Sequence, residues 1–145
     1  MNQCFEIPFR LPGLNELIDD NRRNRQAGAK LKRETDEQIG WIIRAAKLKP
    51  VTLPCIVHMT FCEPDRRRDT DNIESARKYI LDALVKSGVL KGDSPRYVVG
   101  APTWTRYDHP GARVLVTIIE DEREDYLRDK LLKAEQIITA REEIS

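Results

Sequence analysis

No apolar run in this 145-residue chain approaches the length needed to cross a membrane. The N-terminus, MNQCFEIPFR, lacks the basic-then-apolar order of a secretory leader. Cysteine is scarce: three residues, odd in number and widely spaced. This argues against a disulfide framework and for the reducing cytoplasm. The paired Cys and His motifs of zinc sites are not expected here: Cys4, Cys55, Cys62, His58 and His109 are scattered along the chain. The glycine-rich phosphate loops of nucleotide-binding proteins are missing. Aromatic residues make up only 6% of the chain, so a core must rest mainly on aliphatic side chains.

Charge is plentiful, at 34% of residues, and nearly balanced at a formal +1. It is not evenly spread. Residues 121–145 carry eight acids and five bases, a local net of −3, which leaves +4 on residues 1–120. Residues 21–49 hold nine bases against three acids, including Arg22, Arg23, Arg25, Lys30, Lys32 and Arg33. Arg66, Arg67 and Arg68 form a second basic knot. Such stretches suit a polyanion, because each phosphate neutralised releases counterions. They also suit the solvated face of a long helix, and charge alone does not separate the two.

Hydrophobic periodicity outlines one domain over 1–120 and a charged helical extension over 121–145. Phe5, Ile7 and Phe9 alternate as a first strand, ended by Leu11-Pro12-Gly13. A helix follows from Leu14 to about Lys47, weakened near Gly28. Cys55, Val57, Met59 and Phe61 mark a second strand. Asn72 to Ser87 reads as a helix stopped by Gly88. Tyr97 to Gly100 is a short strand, and Ala112 to Ile119 a clear one. The order β-α-β-α-β-β predicts an α/β (α+β) fold, a small mixed β-sheet flanked by helices. Leu127, Leu131, Ala134 and Ile138 form an apolar stripe on the extension, fit for a dimer contact or for packing on its own domain.

The most informative segment is Arg66-Arg67-Arg68-Asp69-Thr70-Asp71-Asn72. Two carboxylates two residues apart, at a loop-to-helix junction, can turn toward one hard cation. Mg²⁺ takes one or two protein carboxylates and leaves positions for water and phosphate. A third acid, Asp93, follows the helix. Carboxylates beside arginines make sense for a phosphodiester: the metal polarises the phosphate and activates water while the arginines hold the backbone. The plainer alternative is helix capping by Asp71 with Glu74. On a continuous helix, Ser75, Lys78 and Asp82 fall within about 40° of Asp71. Lys78 would then reach toward the phosphate, or form an ordinary pair with Asp82.

From Arg66 to Val98 the sequence resembles the RusA family of Holliday-junction resolvases. The likeness lies in a basic loop, D-x-D-N (Asp69, Asp71, Asn72), Lys78, Asp82-Ala83-Leu84, Gly88 and Asp93. The segment from Asp71 to Lys78 is about one helical turn longer than in the family pattern. The resemblance implies a RusA-like fold and Mg²⁺ bound by Asp69, Asp71 and Asp93. It implies Lys78 as the catalytic lysine, and a homodimer that nicks a four-way DNA junction symmetrically. The acidic extension lies beyond the family domain. Two alternatives stand beside this expectation: a nuclease for other branched DNA (flaps or forks), and a branched-DNA-binding protein without catalysis. Tyr79, Tyr97, Trp104 and Tyr107 are candidate stacking partners for unpaired bases.

Overall fold

The computed structural model describes residues 2–107 and 111–133. It is an α+β fold built on one mixed five-stranded sheet. The elements are β1 (Asn2–Ile7), α1 (Leu14–Arg23), α2 (Arg25–Ala46), β2 (Cys55–Glu63), α3 (Thr70–Glu74), α4 (Arg77–Lys86), β3 (Val98–Gly100), β4 (Thr103–Tyr107) and β5 (Arg113–Glu120). Residues 124–133 are also helical. No helix among the described residues is long and apolar enough to cross a membrane.

β2 is the central strand. β5 pairs with it antiparallel on one side and carries β1, also antiparallel, on its outer edge. β3 and β4 lie in succession along the other side of β2, both parallel to it. Alternation then sorts the side chains. Cys55, Val57, Met59 and Phe61 join Val114, Val116 and Ile118 of β5 and Ile39, Ile43, Ile80 and Leu84 of α2 and α4 in one core. Burying these apolar side chains, at roughly 1.5–3 kcal/mol for each large one, is the main force behind this layer. On the opposite face, Ile56 is buried, and Leu131 packs so closely that a Cβ on Gly100 would lie 2.6 Å from its Cδ1. Leu127, on the same helical segment, is fully buried. The described part of the apolar stripe therefore packs on its own domain. Ala134 and Ile138 lie outside the described residues.

Three local expectations need correction. The helix expected from Leu14 to about Lys47 is two helices, and the break falls at Asn24 rather than at Gly28. Asn24 is extended (φ −168°, ψ 159°), donates its N–H to Asp20 O at 3.1 Å, and accepts from Ala27 N–H at 2.6 Å through its side chain. One residue thus caps both helices, which glycine has no side chain to do. Gly28 serves instead as the close contact of the hairpin: a Cβ there would lie 1.7 Å from Asn21 Oδ1.

The single helix expected over Asn72–Ser87 is also two, α3 and α4. At the joint, Ser75 Oγ donates to Asn72 O at 2.7 Å, and Ala76 N–H turns to Ile73 O at 3.2 Å. This tighter turn breaks the continuous wheel that placed Lys78 on the same face as Asp71. Finally, β4 was not anticipated. Its sequence, Thr-Trp-Thr-Arg-Tyr, suits a strand in residue type but shows no apolar alternation, because it lies at the sheet edge.

Candidate metal and nucleic-acid site

The β1–α1 turn, the C-terminal end of β2 and the loop leading into α3 enclose a cleft of about 370 Å³. Its walls include Arg10, Glu16, Glu63, Asp65, Arg67, Arg68, Asp69 and Asn72. The three arginines of the expected basic knot have different surroundings. Arg68 is buried, its side chain only 8% exposed, with Nη1 2.9 Å from Glu63 Oε1. Nη2 reaches Leu11 O at 3.3 Å and Glu16 Oε2 at 3.6 Å. The expectation that Arg68 faces DNA is therefore corrected: it ties the loop to β2 and to the β1–α1 turn. Arg67 is fully on the surface, 90% exposed, and pairs with Asp65 at 3.6 Å. Arg66 is exposed and lies over the Tyr107 ring, 4.0 Å from its centroid.

Asn72 explains the last letter of the D-x-D-N motif structurally. It is buried, and its Oδ1 accepts from Asn15 N–H at 2.9 Å, across 57 residues of sequence. This bond satisfies one of the free amides at the start of α1. Gly13 is required beside it, because a Cβ there would meet the Asn72 carbonyl oxygen at 2.5 Å. Glu16 completes the turn by accepting from Gly13 N–H.

Asp69 and Asp71 are both exposed at the entry of α3. Asp69, not Asp71, occupies the N-cap position, and its side chain makes no capping hydrogen bond. The capping role offered as the plain explanation of Asp71 is not realised. Among the described residues neither carboxylate has an ion-pair or hydrogen-bond partner.

Asp93 is elsewhere. Its loop is fixed to the opposite end of β2: Val51 N–H donates to Val89 O at 2.8 Å, Cys55 N–H to Tyr97 O at 3.0 Å, and Tyr97 N–H to Ser94 O at 2.9 Å. β2 has nine residues, or about 26 Å of extended chain between its ends. The expected convergence of Asp69, Asp71 and Asp93 within one protomer is thus corrected. Among the described residues no three His, Cys, Asp or Glu side chains are grouped to hold a metal. Lys78 is exposed in the first turn of α4 and makes no ion pair with Asp82 among the described residues.

The basic stretch forms the corner of the α1–α2 hairpin, where Arg22, Arg23, Arg25, Lys30, Lys32 and Arg33 are all exposed. Among the described residues only Lys30 has an acidic partner there, Glu34 at 3.8 Å. Of the candidate aromatics, Tyr79 is buried, and burial first, then Asp36 and Glu16, push its hydroxyl pKa up. Sequence reasoning missed Arg10, Glu16 and Glu63. Glu63 alone left a trace, an acid directly following the apolar strand.

No family model matches the chain, and no curated protein is similar enough to it to count as a relative.

Proposed function

We propose that this protein is a Mg²⁺-dependent endonuclease of branched DNA that resolves four-way junctions as a homodimer. The observation that carries the reading is the pair Asp69 and Asp71, exposed and uncommitted beside a cleft bordered by arginines. Exposed carboxylates repel DNA unless a cation offsets them, and one or two carboxylates suffice to anchor Mg²⁺. Bound there, the ion would polarise a phosphate oxygen and lower the pKa of an attacking water. Arg67 lines that cleft, Arg66 lies three residues before Asp69, and the α1–α2 corner would supply phosphate contacts further out. Lys78 is retained as the candidate for stabilising charge on the scissile phosphate.

A two-fold partner accounts for Asp93. Within one protomer it stands a strand length away from the other two acids, so it can join their centre only from a second copy. Two matched nicks also need two protomers, and a two-fold contact must be self-complementary. The free Cys4, Cys55 and Cys62 fit a cytoplasmic setting.

The test is incubation with a synthetic four-way junction and the matching linear duplex, with Mg²⁺ or with chelator. Paired nicks in the junction that depend on Mg²⁺ support the reading. Tight junction binding with no cleavage would favour a binding protein instead.

A further inference from the structure

We propose that Tyr107 and Arg66 form a stacking shelf for a nucleobase beside the scissile phosphate. This rests on the nuclease reading above and adds a specificity element to it: the site recognises an unpaired or unstacked base as well as phosphate. Tyr107 stands opposite Glu63 in the β2–β4 register, and Glu63 lines the cleft. The Tyr107 side chain is 40% exposed, with the Arg66 guanidinium 4.0 Å from its ring centroid. Arg66 precedes Asp69 by three residues, at most about 11 Å of extended chain. A base turned out of a helix at the cleft would thus meet a planar cation already seated over an aromatic ring. Guanidinium and phenol faces both stack on bases, whatever the base identity.

Arginine–aromatic pairs also occur at Trp41 with Arg44 and at Tyr126 with Arg123. Position separates Tyr107 from these and from the other exposed aromatics. Trp41 lies in the distal half of α2, whose exit is bonded to β1 through Lys49 and Gln3, away from the cleft. Trp104 is 50% exposed, but it opposes Thr60, so alternation puts it on the other face of the sheet. Tyr97 packs near Gly92 at the Asp93 end of β2. Tyr126 belongs to the acidic extension. Among the described residues Tyr107 is the one exposed aromatic whose strand partner, Glu63, lines the cleft.

The experiment uses a four-way junction with a single 2-aminopurine at the crossover, bound in Ca²⁺ to permit binding without turnover. Wild type and Tyr107→Trp are expected to quench the probe. Tyr107→Ala and Arg66→Ala should leave it bright and weaken junction binding by about tenfold, with linear duplex binding changed much less for Tyr107→Ala. Circular dichroism checks each variant for folding, and Arg66→Ala serves if Tyr107→Ala does not fold. Quenching and affinity equal to wild type in a folded Tyr107→Ala or Arg66→Ala would overturn the shelf while leaving the nuclease reading intact. Tyr107-dependent quenching in a protein that never cleaves with Mg²⁺ would overturn the nuclease reading and keep the shelf. Failure of the wild type to bind any junction would overturn both.

Discussion

Arg68 Nη1 lies 2.9 Å from Glu63 Oε1, and both side chains are buried, at 8% and 6% exposure. The residue after Arg68 is Asp69, the first carboxylate of the D-x-D pair. A buried ion pair thus anchors the loop that carries the candidate metal ligands. Removing one partner leaves an uncompensated buried charge, at a cost of about 3–5 kcal/mol. Arg68→Met is expected to lower stability by that order in a denaturant titration. Arg67→Ala should change it by less than about 1 kcal/mol, since its pair with Asp65 is on the surface.

Two glycines should respond in opposite directions to alanine. Gly13→Ala puts a Cβ against the Asn72 carbonyl and the Arg68 guanidinium, so a loss of about 1–3 kcal/mol is expected. Gly40 lies inside α2 with nothing within 4 Å of a new Cβ. Gly40→Ala should therefore stabilise by about 0.5–1 kcal/mol. Thermal melts of the two variants check both signs.

His58 gives the fold a pH response. Burial holds its pKa below the ordinary 6.5. Below that value the unfolded chain binds a proton that the folded chain resists, so stability falls as pH drops from about 6.5 toward the folded pKa. Above 6.5 the effect is absent. His58→Gln is expected to flatten the stability profile between pH 7 and pH 5, measured by melting temperature. An unchanged slope would place the response on other groups.

DNA affinity should fall steeply with salt. Reversing charge at Arg22, Arg25 and Lys32 together is expected to weaken junction binding at least tenfold and to flatten the salt dependence. Reversing Lys130 and Lys133 should have much less effect, because that segment is acidic overall. Equal losses in a fluorescence-anisotropy titration would mean that the DNA-facing surface lies elsewhere.

The parts of the fold carried by apolar alternation were legible in the sequence: β1 as far as Ile7, β2 and β5. The joints were less so. Asn24 reads as one polar residue among many until its side chain is seen capping the next helix, and Ser75 hides its turn inside a helical pattern. β4 was missed because an edge strand need not alternate. At the site, the loop-to-helix placement of Asp69 and Asp71 was legible from type and spacing. The burial of Arg68 was not, since three successive arginines look alike in sequence and only Glu63, Glu16 and Leu11 distinguish the third. Nor does sequence spacing state that Asp93 returns to the far end of β2, because that follows from α4 running back along the sheet.

The central claim is that one metal centre draws Asp69 and Asp71 from one protomer and Asp93 from the other. Mixing two inactive variants tests it most directly. Asp69→Asn and Asp93→Asn should each fail to cleave a four-way junction in Mg²⁺ when assayed alone. After mixing and subunit exchange, the mixed dimer regains one complete centre, and single-strand nicks should return. A mixture that stays silent, or an Asp93→Asn protein that cleaves like wild type by itself, would contradict the account.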